Sequence, residues 1–143
     1  MKILVFTNTV IFSLLSLLHF YWAFGGTVWL DGVLPTNSSG VKMLTPTTPI
    51  TLLVAFALFS FALTSAGNYG VFDQFINRSY FLYGTLLIAV IFLLRAVGEF
   101  KFVGFFKTVT ETPFAKYDFM IFSPLCLAIA INSFLIFILN QRK

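Results

Sequence analysis

Arg95 and Glu99 stand four residues apart at the end of one long apolar run, and Asp118 stands at the start of the next. The only histidine, His19, lies near the end of an earlier run, within HFYWAFGG. Histidine titrates near neutrality, and burial raises a carboxylate toward it, so His19 with Glu99 or Asp118 has the makings of a proton-transfer site. A guanidinium such as Arg95 holds a carboxylate or an anionic headgroup through paired N–H bonds. The candidate catalytic residues are therefore His19, Glu99 and Asp118. The candidate ligand-binding residues are Arg95, Trp22, Tyr21 and Lys107. Ionisable groups are expensive at membrane depth, so several of them at one end of three helices need a reason.

The elements that position these residues are hydrophobic. The chain has 143 residues, 59% hydrophobic and 10% charged, with a mean hydropathy of +0.95. A soluble domain of this size has no way to hide so much apolar surface, so its natural solvent is a bilayer. Four stretches are long enough to cross it, near residues 3–24, 49–67, 79–98 and 119–139. Each is about 20 residues, matching roughly 30 Å of hydrocarbon at about 1.5 Å per residue. Strand-like alternation is absent, which argues against a barrel. The expectation is an all-α, integral membrane four-helix bundle forming a single domain over residues 1–143.

The first stretch also has features of a signal peptide: Lys2, an apolar core, and Ala23–Phe24–Gly25 at a possible cleavage site. The bulky cluster HFYW stands where such sites prefer small residues, so a retained helix is expected. Loop one, about 25–48, carries GG, DG and prolines and reads as coil with turns. Loop two, about 68–78, is short and polar. Loop three, about 99–118, is aromatic and charged. Its Phe102, Phe105, Phe106 and Val109 fall roughly at helical spacing opposite Lys101 and Lys107, which predicts a segment lying along the membrane interface.

Span order alone brings the candidates together. The ends of the first and third helices meet the start of the fourth, so His19, Arg95, Glu99 and Asp118 share one face of the bundle. The expectation is one direct or water-bridged hydrogen-bond network joining all four. Each residue also has a plainer reading. Arg95 and Glu99 are spaced as an intrahelical ion pair, Asp118 as a helix N-cap, and His19 as a hydrogen-bonder between helices. Tyr21 and Trp22 fit an aromatic belt, and Pro124 a kink at the start of the fourth helix. Asn132 and Ser133 suit hydrogen bonding between helices.

Several classes of chemistry lack support. The net charge of +4 is scattered without a basic run, as expected for Lys and Arg meeting lipid headgroups, and no nucleic-acid partner is expected. The single cysteine, Cys126, allows no intramolecular disulfide and no CxxC pair. One histidine without HxxxH or ExxH spacing makes a weak metal site, and no phosphate- or dinucleotide-binding fingerprint is placed to work. No metal and no cofactor are expected.

The runs HFYWAFGG, LRAVGEFKFVGFFK and FAKYDFMIFSPLC resemble the bacterial membrane protein family known as domain of unknown function 3995. The shared pattern covers His19, Tyr21, Trp22, Gly25, Gly26, Arg95, Gly98, Glu99, Gly104, Lys107, Asp118, Ser123, Pro124 and Cys126. Family members often have Asp in place of Glu99 and tyrosines in place of Phe102 and Phe122. The resemblance implies a four-helix membrane fold and a bacterial membrane location, and it implies no activity.

Three functions follow from this reading. The first is binding or transformation of a small amphiphile, with its polar end at the candidate residues and its tail between Phe-lined helices. The second is a structural or accessory role in which the polar cluster only stabilises the bundle. The third, a transporter, ranks last because no acidic residue lies mid-span and no inverted repeat is present. The expected partners are the lipid bilayer and a small amphiphile, and the oligomeric state stays open. Lys2 and the QRK tail predict cytoplasmic chain ends, with loops one and three on the opposite face.

Overall fold

A computed structural model describes residues 1–141. Arg142 and Lys143, on which the orientation expectation partly rests, lie outside the described residues. The chain folds as α1 (Lys2–Ala23), a single turn α2 (Leu30–Val33), α3 (Thr48–Gly67), α4 (Arg78–Val97), and a final composite helix. That last helix consists of α5 (Pro113–Tyr117), a π-helical turn (Asp118–Phe122) and α6 (Ser123–Gln141). Four helices are long and apolar enough to cross a membrane: α1, α3, α4 and the composite 113–141. Among the described residues there is no β-strand, only an isolated bridge between Thr36 and Lys42 in loop one.

In each span only 22–28% of the most apolar window is buried within the protein, so most apolar side chains face outward. Outward-facing Leu, Ile and Phe are stable in lipid, where no hydrophobic force drives helices together and packing rests on close fit and hydrogen bonds. The close fit is made along two pairs, α1 with α3 and α4 with α6. Their shared core holds Phe12, Leu58, Ile88, Phe92 and Ile129, with Ala62, Ala96 and Ala130 allowing the backbones to approach. The Phe12 ring stands 5.3 Å from Phe92 and 5.6 Å from Phe61 in tilted or edge-on contact.

Hydrogen bonds between helices tie the end of the bundle that carries the chain ends. Asn8 donates to the Ser133 hydroxyl at 2.8 Å and accepts from Asn132 at 2.6 Å, joining α1 to α6. Asn68 donates to Thr85 at 2.8 Å and accepts from Asn140 at 2.9 Å, joining the end of α3 to α4 and α6. Asn132 and Ser133 thus have the interhelical role expected of them.

Helix ends follow local chemistry. Asn77 caps α4 through the Ser79 N–H at 2.9 Å, and Thr112 caps α5 through the Ala115 N–H at 3.0 Å, with Pro113 in the first helical position. The fourth spanning helix thus begins at Pro113, six residues before the expected start at 119, and its cap is Thr112. Asp118 lies inside it and is not an N-cap, which corrects that reading. The π turn at 118–122 directly precedes Ser123–Pro124. Pro124 has no N–H to donate back to the Met120 carbonyl and its ring crowds that carbonyl, so the helix widens there by a turn rather than breaking. Loop three is a compact coil, and the helical spacing of Phe102, Phe105, Phe106 and Val109 produces no helix there.

Replacing Asn8 by Leu removes both of its interhelical bonds from a fully buried site. Such bonds are worth roughly 0.6–2 kcal/mol each in membrane helices. The thermal unfolding midpoint in detergent is expected to fall measurably. An unchanged midpoint would mean that helix packing alone holds α1 against α6.

Candidate functional site

Asp118 is fully buried, and its carboxylate is the meeting point of three chain segments. Arg95 of α4 donates from Nη2 to Oδ1 at 2.8 Å. The other oxygen, Oδ2, accepts from the Gly104 N–H at 2.8 Å, from Lys107 Nζ at 2.9 Å and from the Ser123 hydroxyl at 3.2 Å. Lys107 Nζ also donates to the Gly104 carbonyl at 3.0 Å. The π turn makes the Ser123 bond geometrically possible. Residues five apart lie on different faces of an α-helix, and the wider turn brings Ser123 back over Asp118.

Loop three is shaped to deliver Gly104 and Lys107 to that carboxylate. Gly98 and Gly104 both have left-handed φ, at +87° and +90°. A Cβ on Gly98 would strike the Val103 carbonyl, and one on Gly104 would strike the Val97 carbonyl. These glycines let residues 98–104 close on themselves, with Gly98 N–H donating to Leu94 at 2.8 Å and Phe105 N–H to Ala96 at 2.9 Å. The Glu99 carboxylate lies inside this tight loop, where it accepts from the Phe102 and Val103 N–H groups. The aliphatic and aromatic surroundings of Lys107 include the Phe119 ring, with Nζ 5.5 Å from its centroid.

The four residues expected to share one network are therefore divided. Arg95 and Asp118 are joined directly. Glu99 is exposed and spent on backbone N–H groups, so the Arg95–Glu99 pair inferred from their spacing does not form. Arg95 turns instead to Asp118, a partner 23 residues away in sequence. His19 is half-buried and also stands outside the network. Its Nδ1 lies 2.8 Å from the Leu15 carbonyl, and its ring meets Trp22 edge-on at 4.9 Å. A carbonyl only accepts, so Nδ1 carries the proton and neutral His19 presents Nε2 as a base. Lys107 is buried as an internal counter-ion. Tyr21 is exposed, and its ring covers Gly26.

His19, Trp22 and Arg95 meet at a cavity rather than through hydrogen bonds. A space of about 670 Å³ lies under loop one, at the end of the bundle opposite Asn8. It is walled by Leu15, Leu18, Leu58, Phe92, Phe122, Leu125 and Ile129 of the spanning helices and roofed by Leu30, Leu34, Leu44 and Pro46 of loop one. Its polar lining includes His19, Arg95, Lys42, Thr45, Thr51 and Cys126. Two contacts hold the roof: Trp22 Nε1 donates to the Val28 carbonyl at 2.9 Å, and Lys42 pairs with Asp31 at 2.7 Å. Arg95 thus faces two ways. Nη2 is bound to Asp118, Nη1 is enclosed without a hydrogen-bond partner, and about a third of the side chain (34%) remains exposed.

Gly104 and Ser123 fall in the family pattern but were given no site role from the sequence, and the loop-one residues Leu30, Leu34, Lys42, Leu44, Thr45 and Pro46 were not singled out at all. The spacing of Ser123 from Asp118 signals nothing in a regular helix and acquires meaning only through the π turn. Among the described residues, no cluster of three or more His, Cys, Asp or Glu side chains could hold a metal ion.

A four-span helical membrane protein is thus defined, with a buried carboxylate clamp beneath one face and a mostly apolar cavity beside it. The chain belongs to the family described as "Protein of unknown function (DUF3995)", whose model matches residues 12–133, from the first span to the middle of the last. No curated protein and no solved structure matches the chain.

Removing the Asp118 carboxylate leaves Lys107 buried without a counter-ion. Breaking a buried pair in this way costs about 3–5 kcal/mol, and an exposed contact only about 0–1. Asp118→Ala is therefore expected to lower the unfolding midpoint far more than Glu99→Gln. Comparable losses from the two would show that the carboxylate is not the organising centre of this face.

Proposed function

We propose that this protein holds a small amphiphile in the cavity beneath loop one. The observation that carries this reading is the polarity gradient along the cavity wall. Leu58, Phe92 and Ile129 lie toward the bundle core, and His19, Arg95 and Lys42 lie toward the membrane face. A volume of about 670 Å³ falls inside the range of roughly 300–1,000 Å³ usual for small-ligand sites. An amphiphile fits that gradient with its tail among apolar side chains and its head near Arg95 and His19. The Asp118 clamp fits the structural role, since the bonds from Arg95, Gly104 and Lys107 join α4 and loop three to the last helix.

Binding is favoured over proton-transfer catalysis. The base His19 Nε2 has no carboxylate partner, because Asp118 is occupied by four donors and Glu99 by loop amides. The setting we infer is the bacterial cytoplasmic membrane, with chain ends on the cytoplasmic side and the cavity toward the outer face. The support is Lys2 beside the first span and the basic QRK tail.

Native mass spectrometry of protein purified in a mild detergent is expected to show a retained amphiphile. Leu58→Trp, which fills the apolar end, is expected to lose it while the protein still inserts. A ligand-free wild-type spectrum under conditions that preserve lipid adducts on other membrane proteins would remove the binding reading. His19→Asn is expected to keep the ligand, and its loss from that variant alone would assign His19 a direct role in holding the head. A reporter fused after Lys143 is expected to be active only in the cytoplasm, and activity on the far side would reverse the orientation.

A further inference from the structure

The identity of the head group follows from where charge is left over, given the amphiphile-binding reading on which this inference rests. The buried cluster contains two cations, Arg95 and Lys107, and one anion, Asp118. Lys107 is sealed: its side chain is 2% exposed, and Nζ is bonded to both Asp118 and the Gly104 carbonyl. Asp118 has four donors around it and no exposed surface. Two other acidic residues lie in α4 and its loop, and neither pairs with Arg95: Glu99 is turned into the 98–104 loop, and Glu111 is exposed beyond it. Lys42, across the cavity, has its own partner in Asp31. The uncompensated positive charge therefore resides on Arg95, in the cavity wall.

We propose that the cavity takes a single-tailed amphiphile whose head is a singly charged oxyanion, with Arg95 as its counter-ion. A guanidinium carries several N–H donors; here Nη2 is bound to Asp118, Nη1 is enclosed without a partner, and about a third of the side chain (34%) stays exposed. A cation that shares its only counter-ion with a second cation beside apolar walls is incompletely compensated, and an anion that accepts from it reduces that cost. A neutral head leaves Arg95 uncompensated. A zwitterionic head carries its own cation into a wall already holding Arg95 and Lys42. A dianion exceeds the surplus of one. The apolar floor of Leu58, Phe92 and Ile129 takes the tail. Carboxylates and phosphate monoesters in their singly ionised form share this chemistry.

The test uses full-length protein in nonionic detergent with Trp29→Phe, which leaves Trp22, in the cavity wall, as the single tryptophan. The probe is a long-chain carboxylate brominated in its tail, which quenches indole fluorescence on contact, at a pH where the free acid is ionised. Unlabelled alcohol, carboxylate, phosphate monoester and phosphocholine of matched chain length compete for the site. A charge-assisted hydrogen bond contributes about 1.5–3 kcal/mol, so an oxyanion is expected to displace the probe at least tenfold more tightly than the alcohol. A preference between carboxylate and phosphate monoester then identifies which oxyanion is bound. Arg95→Gln is expected to bring the oxyanions to the level of the alcohol, and Arg95→Lys to restore part of the difference. If Arg95→Gln fails to fold, the ratio measured on the protein with Arg95 intact decides alone. Equal displacement by alcohol and oxyanions, or tightest displacement by phosphocholine, would overturn the charge assignment and leave the amphiphile site standing. Absence of Trp22 quenching by the probe would overturn both.

Discussion

A single ionised carboxylate with no access to solvent governs this end of the molecule. Asp118 is stable there only because two cations, a backbone N–H and a hydroxyl surround it. Each of those donors comes from a segment that must first be brought into place. Arg95 requires the end of α4, Gly104 and Lys107 require the closed loop that follows it, and Ser123 requires the π turn. Losing any one donor leaves charge or polarity buried without a partner, which is costly in a low-dielectric setting. The same bonds that satisfy the carboxylate therefore anchor loop three to the third and fourth spans.

The glycines of that loop belong to the same constraint. A chain that leaves a helix, turns back on itself and offers one N–H and one carbonyl to an ion pair needs left-handed backbone at two points. Gly98 and Gly104 supply it where a Cβ has no room. Glu99 satisfies the N–H groups of Phe102 and Val103 within the turn, and so the loop carries few unmet polar groups into the interface. At the opposite end the helices are joined mainly by neutral amides and hydroxyls centred on Asn8 and Asn68, with the half-exposed Arg78 donating to Asn140 at 3.1 Å.

The cavity follows from this arrangement. Drawing Arg95 toward Asp118 and packing the spans in two pairs leaves space between α1, α3, α4 and α6 on the loop-one side, which loop one covers. Its wall contains the one cation that the clamp does not fully satisfy. Shape and charge are the two grounds on which a ligand with an apolar tail and an anionic head is proposed.

The four spans, the membrane setting and the common depth of His19, Arg95 and Asp118 were legible in the sequence. Runs of about 20 apolar residues must be helices in lipid, and alternating direction fixes which ends meet. The family pattern was legible for the same reason that its glycines, charges and proline fall in order along the chain. Pairing was not legible. Arg95 and Glu99 have the spacing of an ion pair, yet the helix ends at Val97, so Glu99 leaves the helical face and serves the loop. The periodicity of Phe102, Phe105, Phe106 and Val109 suggested a helix, but burial of Lys107 against Asp118 outweighed it. Asp118 looked like an N-cap because the apolar run begins there, whereas Thr112 and Pro113 start the helix earlier. The sequence by itself determined which segments cross the membrane and which ends of them meet, because solvent and length decide that residue by residue. Only the tertiary structure decided which charge pairs with which and where a cavity remains, because those depend on side chains from distant segments competing for the same buried carboxylate.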